Sequence, residues 1–297
     1  MKGSEWTLVF FTLFIQTAVG LLLTFGLVNG FTGWRNSITN GKEINDKILF
    51  IVCILFIAAL VISFLHLGNV KNAFYALSNL SDSWMSREIL FVAIFGMLVC
   101  VFTLISSKNI FSPAVQNIVG AAAVLCGLVL VFVMAKIYML EIVPAWNNAF
   151  TPISFYFSAL ILGGFTFITG TLFFLHSKGV SISESSTYLP TAKIIIGILA
   201  MLVFAELVIW FFQIILLSNG ERASVESFNL IIKENLLLFA ARIVFQLLGL
   251  ALLSYCFLMF NRGNVNEKFI YISYLAILIA EIIGRYLFYA MYARVGV

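Results

Sequence analysis

The chain has 297 residues, 62% of them hydrophobic and only 10% charged, with a net charge of +4 and a mean hydropathy of +1.09. Soluble domains carry roughly 25% charged residues, and a soluble fold of this length has too little surface polarity to cover so much apolar area. The excess positive charge forms no basic run that could track a nucleic-acid backbone, so it reads as membrane-topology signal instead.

Apolar runs long enough to span a bilayer as a helix recur along the whole sequence. They lie near 6–29, 47–67, 88–106, 115–138, 153–176, 192–217, 235–260 and 269–292. The first is longer than the apolar core of a secretory signal and reads as a retained span. Polar and turn-forming residues fall between the runs, as in Gly33-Trp34-Arg35-Asn36 and Asn261-Arg262-Gly263-Asn264. No linker and no loop long enough for a soluble module appears. The expected fold is therefore all-α and integral to the membrane: one bundle of eight transmembrane helices over residues 1–297.

Eight crossings put both termini on one side. Lys and Arg divide almost evenly between the two sets of loops. Three short loops away from the termini carry little acid, and the loops on the terminal side carry Trp84 and Trp146. Both features favour a cytoplasmic position for the non-terminal loops and a periplasmic one for the termini.

Few residues can carry chemistry. Cys53, Cys100, Cys126 and Cys256 each lie inside an apolar run without a Cys-x-x-Cys pair. They read as small buried hydrophobes, and this protein is expected to hold no iron–sulfur cluster. The two histidines, His66 and His176, end spans that run in opposite directions, so about 30 Å of hydrocarbon separates them. They cannot share one haem, and no haem or other metal site is expected. His66 reads either as an interfacial residue or as a proton acceptor beside a quinone.

Charges within spans are more informative, because lipid makes them costly. Glu206 lies mid-span in the sixth run, Arg242 and Gln246 in the seventh, and Glu281 and Arg285 in the eighth. The i,i+4 spacing lets Glu281 face Arg285 and Arg242 face Gln246. Such a set is either a buried ion-pair network that fixes helix packing or a polar cavity for a quinone head group or a proton path. Gly26-x-x-x-Gly30 reads as a close-packing motif, and the 31 phenylalanines as mostly lipid-facing bulk.

Five stretches, in order along the sequence, carry a resemblance. They are Phe14 to Gly20 (F-I-Q-T-A-V-G), Phe64 to Asn69 (F-L-H-L-G-N), Ser83 to Glu88 (S-W-M-S-R-E), Pro144 to Asn147 with Thr151-Pro152, and Glu281 to Tyr289 (E-I-I-G-R-Y-L-F-Y). Together they resemble the DmsC family, the membrane-anchor subunits of anaerobic dimethyl sulfoxide reductases, similar in plan to the NrfD/polysulfide reductase anchors. Asn69 stands where many members have Ser-Pro, which alters the turn after His66. The resemblance implies a haem-free anchor in the bacterial inner membrane. It would oxidise menaquinol and pass electrons to an iron–sulfur partner (DmsB-like), with the terminal reductase chemistry in a molybdopterin catalytic subunit (DmsA-like). Carried over residue by residue, it assigns the functional histidine to His66 and the quinol-site glutamate to Glu88. Arg87, Lys71 and Tyr75 then become candidates for the quinol pocket or for partner contact. The competing reading is a secondary transporter using Glu206, Arg242, Glu281 and Arg285. Pro113, Pro144, Pro152 and Pro190 all lie near span ends, not at the midplane breaks a transporter usually has.

Overall fold

A computed structural model describes residues 4–32, 41–66, 79–179, 188–261 and 266–295. The helices run α1 Ser4–Thr32, α2 Gly41–His66, α3 Trp84–Ser107, α4 Pro113–Tyr138, α5 Phe150–Ser177, α6 Tyr188–Ser218, α7 Arg222–Asn229, α8 Leu236–Asn261 and α9 Glu267–Ala290. All but α7 are long and apolar enough to cross a bilayer, which gives the eight expected spans. The seventh and eighth spans are thus α8 and α9. No strand occurs among the described residues.

Helix boundaries follow local chemistry that hydropathy alone does not register. Helix α2 starts at Gly41, ahead of the apolar run, because its polar first turns find partners. Glu43 pairs with Lys47 at 3.1 Å and with Lys178 at the end of α5 at 2.8 Å. Asn45 donates to Asn29 of α1 at 2.8 Å. Helix α3 starts at Trp84 because the Ser83 hydroxyl caps it, accepting from the Ser86 N–H. Pro113 opens α4 at a position where its missing N–H costs nothing. The link from α6 to α8 contains α7 and a π-helical turn, Leu230–Glu234, with Ser227 fully buried.

Lipid supplies no hydrophobic drive between helices, so close backbone contact and polar bonds must hold the bundle. Helices α1 and α5 form its centre, each with 72% of its most apolar stretch buried, against 22% for α8. They meet where Gly20 faces Gly163. A methyl group on Gly20 would collide with the Ala159 carbonyl, and one on Gly163 with the Gly20–Leu21 peptide. The Gly26/Gly30 pair does not perform this role. Among the described residues, a Cβ on Gly26 would meet only Val124, at 3.8 Å, and one on Gly30 nothing within 4 Å. Some of the aromatic bulk lies inside the bundle instead, since Phe95, Phe155, Phe165 and Phe167 are fully buried. Phe95 packs edge-on against Phe56, and Phe165 stacks on Tyr274. Cys256 is buried and Cys53 and Cys126 are half-buried, but Cys100 is exposed on the bundle's outer surface.

The start of α1 and the end of α9 lie at one face of the bundle, where the Trp6 and Tyr286 rings sit 5.2 Å apart. The loop before α5 is pinned there too. Trp146 Nε1 donates to the Phe288 carbonyl at 2.7 Å, and the Val295 N–H to the Ile142 carbonyl at 2.9 Å.

Candidate functional site at the terminal face

His66 is the last residue of α2, and Glu88 lies in the first turn and a half of α3. Antiparallel succession brings both to the face shared by the two termini. The His66 side chain, Lys71 and Tyr75 lie outside the described residues.

Glu88 is half-buried and makes no hydrogen bond or ion pair to another described residue. Its carboxyl lies within electrostatic reach of a pair of tyrosines from two other helices. These are Tyr138 at the end of α4 and Tyr289 at the end of α9, with hydroxyls 3.1 Å apart. Trp146, Phe155 and Phe288 enclose the Tyr138 ring, with centroids 5.4 to 5.9 Å away. The result is an aromatic wall with two hydroxyls beside one carboxyl, built from α3, α4, α5 and α9. Sequence reasoning missed both tyrosines, because an aromatic at a span end reads as an interfacial belt residue.

Arg87 folds back on its own turn. Its Nε donates to the Leu80 carbonyl at 2.9 Å and its Nη2 to the Ser81 carbonyl at 2.6 Å. The guanidinium lies 4.2 Å from the Trp84 ring centroid, with the Lys136 ammonium at 5.6 Å from the same ring. Arg87 thereby orders the approach to α3, and the Trp84–Lys136 cluster presents positive charge at this face.

Deeper in the bundle the buried charges form two hydrogen-bonded clusters. Arg242 Nη2 donates to Glu206 Oε1 at 2.9 Å, and Gln246 Nε2 to Glu206 Oε2 at 2.8 Å. The Arg242 guanidinium lies against Trp210, 3.7 Å from its centroid, and across Gly284, where a Cβ would strike it. Glu281 and Arg285 do not pair directly. Ser158 bridges them, donating to Glu281 Oε2 at 2.6 Å and accepting from Arg285 Nη2 at 3.2 Å. Arg285 also donates to Gln16 Oε1 at 2.9 Å and stacks on Phe155 at 3.9 Å. The Glu206 and Glu281 carboxyls lie within electrostatic reach of each other. Gln16 and Ser158 are the members absent from the sequence reading.

Several buried polar atoms of these clusters lack a partner among the described residues: Gln16 Nε2, Arg242 Nε and Nη1, Glu281 Oε1 and Arg285 Nε. No group of three or more His, Cys, Asp or Glu that could hold a metal ion occurs among the described residues.

Comparison with known proteins agrees over nearly the whole sequence. Residues 1–291 match the model of the DMSO reductase anchor subunit (DmsC). The C subunit of anaerobic dimethyl sulfoxide reductase of Haemophilus influenzae is 30% identical over 294 residues, 98% of this protein and 96% of that one. Two anaerobic dimethyl sulfoxide reductase subunits of Escherichia coli also match. YnfH is 24% identical and the C subunit 25% identical, each match covering 98% of this protein and 96% of the relative. With its eight membrane spans, the protein belongs to the DMSO reductase anchor subunit family.

Proposed function

We propose that the protein anchors an anaerobic respiratory molybdoenzyme in the bacterial inner membrane and oxidises menaquinol at the face shared by its termini. In this reading the termini are periplasmic. An iron–sulfur subunit docks against that face and takes the electrons, and a molybdopterin subunit performs the terminal reduction. Family membership supports an anchor with catalytic and electron-transfer partners.

The observation that carries the quinol reading is Glu88, a half-buried carboxyl without a hydrogen-bond partner among the described residues, within electrostatic reach of the Tyr138–Tyr289 hydroxyl pair. A quinol that loses two electrons must also release two protons, which needs acceptors at the oxygen atoms. His66 and Glu88 supply two such groups from adjacent helix ends. Tyr138 donates or accepts a hydrogen bond at the ring, and the aromatic wall excludes water. Lys71, Tyr75 and Arg87, with Trp84 and Lys136, contribute to the pocket rim and to docking of the partner. Placing oxidation at the docking face keeps the electron path short. The quinol is a substrate here, and clusters belong to the partners.

The transporter alternative has less support. Among the described residues the membrane-spanning helices are continuous, and the π-helical turn lies between spans, outside the bilayer-length helices.

The test uses the complex purified with its co-purifying subunits. His66→Ala and Glu88→Gln should each abolish turnover with a menaquinol analogue. Assembly, and turnover with an artificial donor that feeds the catalytic subunit directly, should persist. Unchanged quinol turnover in an assembled His66→Ala complex would overturn the assignment.

A further inference from the structure

The Tyr138 and Tyr289 hydroxyls, 3.1 Å apart, share one hydrogen bond, and either can donate it. Each hydroxyl has a single hydrogen. If Tyr289 donates to Tyr138, the Tyr138 hydrogen is left for the Glu88 side. If Tyr138 donates to Tyr289, that hydrogen is spent inside the bundle. The charges at the two ends of the pair decide between these states.

Arg285 lies four residues before Tyr289 on α9, on the same face and about 6 Å deeper. It is only 4% exposed. Its guanidinium sits 3.9 Å from the Phe155 centroid and 5.7 Å from that of Phe288. The same two rings enclose Tyr138. Gln16 of α1 and Ser158 of α5 hold Arg285 by its Nη2. Of these two charged neighbours, Arg285 acts more strongly on Tyr289, and Glu88 more strongly on Tyr138. The order is thus Arg285, Tyr289, Tyr138, Glu88, with a cation at the inner end and a carboxyl at the outer. Glu281 lies another turn deeper on α9, about 12 Å below Tyr289, so its field at the pair is weaker than that of Arg285.

A hydroxyl between a cation and a carboxylate aligns with its hydrogen away from the cation. Aligned in this way, Tyr289 donates to Tyr138, and the Tyr138 hydrogen points toward Glu88. Thr12 of α1 lies beside Tyr289. Its own hydrogen goes to the Leu8 and Val9 carbonyls, so it offers Tyr289 a second acceptor and no competing donor.

We infer that Arg285 is a positioning residue of the quinol site. Acting through Tyr289, it fixes the direction of the hydroxyl pair, so that Tyr138 donates to the quinol oxygen whose proton Glu88 accepts. The quinol rests on the function proposed above; the direction of the pair does not. No redox step is added, since the proton goes to Glu88 and the electrons to the partner as before.

The experiment is a kinetic double-mutant cycle on the assembled complex with a menaquinol analogue, normalised to turnover with an artificial donor. Tyr138→Phe, which removes the donor, should lower quinol kcat about a hundredfold, and Tyr289→Phe, which removes only its orientation, about tenfold. Arg285→Gln should match Tyr289→Phe to within about twofold, and combining the two should cost nothing more. Arg285→Lys, which keeps the charge, should recover most of the loss. A purely structural role would instead make the losses multiply. Multiplying losses, or failure of Arg285→Lys to recover kcat, would overturn the inference. So would equal losses at the two tyrosines or a larger one at Tyr289, which would turn the pair inward toward Thr12. If no Arg285 variant assembles, the comparison of the tyrosines decides alone. Should Glu88→Gln abolish quinol turnover while the cycle is additive, only this inference is lost. Intact quinol turnover in Glu88→Gln would remove the site proposed above and Arg285's role with it.

Discussion

Gly20 of α1 and Gly163 of α5 lie backbone against backbone, so close that neither position has room for a methyl group. This contact joins the two most buried spans and sets the spacing of every helix packed around them. Gly163→Leu should therefore prevent assembly or leave a protein that aggregates in mild detergent. Gly30→Ala, with no described residue within 4 Å of the added carbon, should stay within about 0.5 kcal/mol of the parent protein. Size-exclusion profiles and thermal unfolding midpoints of the two variants check the contrast.

Removing one partner of a buried ion pair strands the other charge. Arg242→Met should cost about 3–5 kcal/mol, because Glu206 is then uncompensated. The double replacement Glu206→Leu/Arg242→Met should recover most of that loss, since apolar substitutes for a buried pair are often neutral. A double-mutant cycle on unfolding free energy measures the coupling. Additive losses would mean that the 2.9 Å contact does not couple the two residues.

Ser158 is the sole described bridge between Glu281 and Arg285. Ser158→Ala should destabilise by about 1–3 kcal/mol, the cost of leaving buried polar atoms unpaired. Ser158→Thr, which retains the hydroxyl, should cost less. Thermal unfolding of both variants gives the comparison.

Tyr138→Phe and Tyr289→Phe remove the hydroxyls within electrostatic reach of Glu88 but keep the aromatic wall. Each should lower quinol-dependent turnover by at least tenfold, and should destabilise by only about 1 kcal/mol, the cost of the lost 3.1 Å hydroxyl bond. If turnover is unaffected while Glu88→Gln abolishes it, the tyrosines enclose the ring without bonding it.

The absorption spectrum of the isolated subunit should lack a cytochrome b band, as expected from two histidines at opposite ends of the bundle. His66 ends α2 at the terminal face and His176 lies next to the end of α5 at the other. A haem band would require ligands that the sequence does not supply as a histidine pair.

The eight spans and the buried charges were legible in the sequence because lipid imposes long apolar runs and makes any charge inside them conspicuous. Partners were less legible. Thr12, Thr17, Thr24, Thr166, Thr169 and Thr171 all bond carbonyls of their own helices. A hydroxyl in a span is therefore uninformative until its neighbour is known, and Ser158 reaches across to α9 without a local signature. Gln16 could have been found, since a glutamine amide within a span needs a partner. The early start of α2 escaped because Lys42, Glu43 and Lys47 depress hydropathy where helix in fact forms. The glycine pair was misread because spacing along one helix does not reveal which glycine meets another backbone.

Arg285 bonds Gln16 across 269 positions of sequence. During synthesis α1 enters the membrane with its glutamine unmatched, and α5 follows with Ser158 still awaiting its acceptor. Only the final helix brings in Glu281 and Arg285. This chain of polar bonds thus forms only once α9 is in place, and a polypeptide truncated before α9 leaves the Gln16 amide without its partner.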